Sequence, residues 1–123
     1  VTDFKLPDFE EMLSLADDIG KLTVDLYLAR VSLDQTEAGI IRTVMNTKDY
    51  WGESTKPPAF NYVEATFKSI GYDDITSEML RQDKFRVAEI SGALEGMKLK
   101  FQTMKEMVDV WKTQQFNIKG AEI

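Results

Sequence analysis

The chain has 123 residues, with 21 acidic against 15 basic side chains, a net charge of -6, 43% apolar and 29% charged residues. That length suits one folded domain with its own core rather than two, and the balance is that of an ordinary water-soluble protein. The absence of Cys and His excludes disulfides, thiolate or imidazole metal sites and the usual Ser-His and Cys-His catalytic pairs, while the acidic charge is a poor match for a phosphate backbone.

Residues 1–7 read as a short lead-in, with Pro7 suited to the first turn of a helix and Asp8, Glu10 and Glu11 placing negative charge where a helix N-terminus favours it. The spacing predicts a long helix over about residues 8–48. Met12, Ile19, Leu26, Leu33 and Ile40 recur every seven residues, interleaved with Leu15, Leu22, Ala29, Thr36 and Thr43. Gly20 and Gly39 weaken this helix by about 1 kcal/mol each relative to Ala, without breaking it. A breaker-rich loop follows over 49–57, containing Gly52, Ser54, Thr55 and Pro57. Residues 58–70 predict a short amphipathic helix with Phe60, Val63, Phe67 and Ile70 on one face and Gly71 as its C-cap.

Asp73 and Asp74 read as turn and capping residues, and Thr76 or Ser77 as the N-cap of a last long helix over about 77–118. In that helix Leu80, Val87, Leu94, Phe101 and Val108 form one series of sevens. Ile90, Met97, Met104, Trp111 and Ile118 form a second, three places later, broken only by Asp83. The tail, 119–123, is expected to fray. A heptad pattern of this length specifies an all-α fold: a long antiparallel, coiled-coil-like helical hairpin with a short third helix at the bend.

Laying the two heptads against each other pairs Met12 with Trp111, Leu15 with Val108, Ile19 with Met104, Leu22 with Phe101, and so on to Thr36 with Val87. A shift of one whole heptad would match as well. The same register sets Asp25 beside Lys100 as an exposed ion pair. The first helix also carries a second apolar face, in which Val24, Val31, Ala38 and Met45 form another series of sevens flanked by Leu13, Tyr27 and Ile41. The last helix can cover only one of the two faces. The short helix spans only about 18 Å at 1.5 Å per residue, enough to shield Ala38, Ile41 and Met45. Val24, Tyr27, Leu28 and Val31 are left over, and are expected to meet a second copy of the chain in a homodimeric four-helix bundle.

Chemistry is sparse. The carboxylate pairs Glu10-Glu11 and Asp17-Asp18 point about 100° apart on a helix and read as solvated charge rather than metal clamps. Gly92 and Gly96 form a lone G-x-x-x-G, a spacing that more often marks close helix contact than ligand binding. Met12, Met97 and Met104 fall on the seam and read as core. Lys84, Lys98, Lys105 and Lys112 border one flank of the last helix, with Lys100 and Arg86 on the other, interrupted by Glu89, Glu95, Glu106 and Asp109. Six aromatics cluster at the bend: Tyr50, Trp51, Phe60, Tyr62, Phe67 and Tyr72. They either plug the end of the bundle or, exposed, bind a partner.

The sequence thus predicts a non-catalytic protein-interaction, scaffold or assembly subunit, with self-association through Val24, Tyr27, Leu28 and Val31 and an unidentified protein partner at Tyr50, Trp51, Phe60 and Tyr62. No cofactor, metal or membrane partner is expected. With no run approaching about 18 apolar residues and no secretory leader, the expected location is the cytoplasm. Two alternatives use other residues: a ribonucleoprotein subunit contacting RNA through Lys98, Lys100 and Lys105, and a carboxylate-based metal- or ligand-binding bundle.

Overall fold

Helix begins where Asp8 caps it. The Asp8 carboxylate accepts the Glu10 N–H at 3.0 Å, satisfying one of the donors that a helix start leaves unpaired, and the Asp8 carbonyl accepts the Met12 N–H at 3.0 Å. Pro7 therefore precedes the cap and is not part of the first turn. The computed structural model describes residues 6–69 and 74–121, with side chains over 6–65 and 77–117. Its elements are α1 (Phe9–Asn46), a 3-10 turn (Lys48–Tyr50), α2 (Phe60–Ser69) and α3 (Asp74–Ala121), and none of the described residues is in a strand.

Several boundaries differ from expectation. The last helix is already running at Asp74, so Thr76 and Ser77 lie inside its first turn and neither is its cap. At the other end it continues through Ala121, across most of the stretch expected to fray. The side chains of Phe67 and Ile118, together with Ile70, Gly71, Tyr72 and Asp73, lie outside the described residues. Between α1 and α2 the chain turns at Gly52, whose φ of 66° is the left-handed conformation that favours glycine. The Ser54 hydroxyl closes the next turn, donating to the Lys56 carbonyl and accepting the Lys56 N–H, both at 3.1 Å. No helix among the described residues is long and apolar enough to cross a membrane.

The contacts divide the chain into two compact units. The first joins residues 1–25 to residues 90–123, and the second comprises residues 26–89. In the first, the start of α1 lies along the later part of α3. Leu15, Leu94 and Met104 are buried there, and Met12, Ile19, Leu22, Met97, Phe101, Val108 and Trp111 are half-buried. In the second, Ile40 and Val44 of α1, Val63 of α2 and Leu80 of α3 form one cluster, against which Leu33, Ile41, Met45 and Tyr50 pack. Val44 and Val63, 1% and 0% exposed, are the most deeply buried side chains described. α1 therefore packs against α3 through the heptad positions, with Thr43 the seam residue left exposed.

The register is not the predicted one. Thr36 pairs with Asp83 instead of Val87, its hydroxyl donating to Asp83 Oδ2 at 2.6 Å in a half-buried setting. That is a displacement of one helical turn. Lys100 is likewise paired with Glu11, at 3.7 Å, and not with Asp25. The reason is chemical: in the predicted register Asp83 would face Ile40, and a half-buried carboxylate is far cheaper to keep beside the Thr36 hydroxyl donor. Asp83, the one break in the last helix's second series, is thus a seam residue with a specific partner. A single polar layer of this kind fixes register in helix pairs.

The glycines follow no packing rule. A Cβ added at Gly92 or Gly96 would meet nothing within 4 Å, so the G-x-x-x-G spacing marks no close helix contact among the described residues. The same holds at Gly20 and Gly39.

Candidate interaction surfaces

The apolar side chains that the seam does not use stand in the open. On α1, Leu13, Val24, Tyr27 and Leu28 are exposed, Tyr27 to 68%, and Val31 is half-buried. Helical spacing places Val24, Tyr27, Leu28 and Val31 at i, i+3, i+4 and i+7, one stripe of the helix surface. On α3, Phe85, Leu99, Val110 and Phe116 are exposed as well, Leu99 to 69%. Of the residues assigned to the cover of the short helix, Ile41 and Met45 are half-buried against the second unit's cluster, whereas Ala38 is exposed.

The aromatic bend divides into two pairs. Tyr50 is half-buried and packs on the Ile40–Val44–Val63–Leu80 cluster. Trp51 is half-buried, and its indole N–H donates to the Val44 carbonyl at 2.8 Å. Val44 lies in the last turn of α1, where carbonyls have no intrahelical partner, so Trp51 acts as a side-chain cap for that helix end. Phe60 and Tyr62, by contrast, are exposed, Phe60 to 53%. Phe60 opens α2 and does not share the burial of Val63, three residues on, with which the amphipathic pattern grouped it.

A groove runs between α1 and α2 in the second unit, with a volume of about 400 Å³. Ala38 and Ile41 of α1 and Phe60 of α2 supply its apolar lining. Asp34 and Glu37 of α1 and Glu64 of α2 supply carboxylates, and Arg42 is the one cation among its described lining residues. Sequence reasoning missed this feature. Asp34, Glu37 and Arg42 look like solvated surface in a heptad, and only the placement of α2 against α1 turns their spacing into a wall.

The charged residues singled out for other chemistry are dispersed. Lys98 pairs with Glu95 at 3.8 Å and Lys100 with Glu11 at 3.7 Å, leaving Lys105 as the member of that trio with no ion pair among the described residues. Asp17 is bridged to Lys21 at 3.6 Å across one exposed helical turn, a pair contributing about 0.3–0.5 kcal/mol at most. Among the described residues no three carboxylates come together in a way that would hold a metal ion.

Comparison with known proteins finds no matching family, no similar curated protein and no similar solved structure.

Proposed function

We propose that this protein is a non-catalytic interaction or assembly subunit that acts through helical packing, and that its first partner is a second copy of itself. The observation that carries this reading is the row of exposed apolar side chains on α1, Val24, Tyr27 and Leu28, continued by half-buried Val31. Two hairpins joined along this stripe make a four-helix bundle. Phe60 and Tyr62, both exposed, would face a further protein partner, while Tyr50 and Trp51 serve the bend itself. Among the described residues no group of side chains favours the RNA or metal alternatives over this one: Lys98 and Lys100 are paired with acids of the same chain, and no three carboxylates come together.

Replacing Tyr27 and Val31 together with Asp tests the reading. Charge at an interface between copies blocks association and leaves each chain folded, so sedimentation is expected to give a monomer with unchanged helical circular dichroism. Loss of helicity instead would place these residues in the chain's own core and end the proposal.

A further inference from the structure

The groove between α1 and α2 has a chemistry of its own. Its lining follows helical spacing: Asp34, Ala38 and Arg42 succeed one another at i, i+4 and i+8 on α1, Glu37 and Ile41 at i and i+4 beside them, and Phe60 and Glu64 at i and i+4 on α2. Each wall therefore carries an apolar residue one turn from a carboxylate. Ile41 is half-buried and packs on the second unit's core, while Phe60 is exposed on the rim. Neither Asp34 nor Glu37 has an ion-pair partner among the described residues.

We propose that this groove docks a basic amphipathic helix of another protein, with one or two large apolar side chains seated on Ala38, Ile41 and Phe60 and flanking Lys or Arg residues against Asp34 and Glu37. Charge complementarity selects this occupant. Among the described lining residues Asp34 and Glu37, neither of them ion-paired, outnumber Arg42 and favour a cationic helix over an acidic one, and an apolar strip between two helices suits the i, i+3, i+4 anchors of a helix laid in a groove. The inference deepens the interaction role proposed above and rests on it; Ala38 and Ile41 continue the face of the Tyr27 stripe toward the end of α1, so the test reads oligomeric state as well as binding.

The test uses the full chain and a fluorescent helical peptide of about 18 residues built from Leu and Lys at amphipathic spacing, with a Leu/Glu peptide of the same pattern as its reversal. Fluorescence anisotropy is expected to give at least about tenfold tighter binding of the Lys peptide, weakening as salt is raised. Asp34→Lys with Glu37→Lys should lower that affinity at least about tenfold and reverse the preference between the peptides, whereas Asp17→Lys with Asp18→Lys, the same change in net charge elsewhere, should leave it within about twofold. Phe60→Ala should weaken the Lys peptide as well. Equal losses from the two lysine pairs would reveal only general attraction to an acidic protein and overturn the proposal, as would undiminished binding in the groove variant.

Sedimentation of the same variants separates this inference from its parent. A wild-type dimer that binds neither peptide removes the groove and leaves the interaction role standing. Dissociation of the dimer by Asp34→Lys with Glu37→Lys would mean that a second copy occupies the groove, which also overturns the proposal.

Discussion

The two units of this protein are built on the same heptads and reach different degrees of burial. In the first, two helical segments pack along one seam, and its best-covered residues are Leu15, Leu94 and Met104 at 9%, 3% and 7% exposure. In the second, α2 is added, and Val44 and Val63 disappear from solvent almost completely. A helix pair can enclose a residue from two sides only, and a third helix closes the remaining one. The heptad supplies length, pairing and single buried positions such as Leu94, whereas the short helix gathers buried residues into one cluster. It also supplies the groove, because the element that seals one side of α1 leaves its own edge beside Ala38 and Ile41.

The largest expected effect compares the two units directly. Leu80→Ala in the three-helix cluster should cost about 3–4 kcal/mol, and Leu15→Ala in the two-helix seam about 2 kcal/mol, because the cavity in the better enclosed site collapses less. Urea unfolding of both variants measures the difference, and equal losses would break the distinction between the units. A smaller effect sharpens the register. Thr36→Val removes the hydroxyl donor of Asp83 and should cost about 1–2 kcal/mol in the same assay. Adding Asp83→Leu should restore most of that stability, since an apolar pair replaces the polar one, while freeing the helices to slip by a turn. The smallest effect is favourable: Gly92→Ala, with open space around its added Cβ, should raise stability by about 0.5–1 kcal/mol through helix propensity. A loss there would identify a close contact at Gly92 with another chain.

Those comparisons also define what was legible in the sequence. The seam was, because period and helix geometry are the same information: of the described heptad positions only Thr43 is exposed. The surplus face at Val24, Tyr27 and Leu28 was legible for the same reason. The register was not. Matching apolar layers is nearly degenerate under a shift of a turn or a heptad, and the choice is made by one polar pair, Thr36 and Asp83, whose partnership no periodicity encodes. Val44 escaped too. It belongs to neither seam series of α1 and is buried because α2 and its Val63 arrive over it. The aromatic bend was visible as a cluster, but its division into the capping Trp51, the packing Tyr50 and the exposed Phe60 and Tyr62 depends on where each ring falls relative to the end of α1. The groove shares that origin, as it exists only once α2 has been placed.

The central claim, that the spare stripe of α1 is an interface between copies, is tested most directly by light-scattering mass on a sizing column over about a hundredfold range of concentration. A homodimer gives a mass near 28 kDa, twice the 14.1 kDa of one chain, giving way to the monomer only on dilution. A mass that stays at 14.1 kDa across the whole range would contradict it.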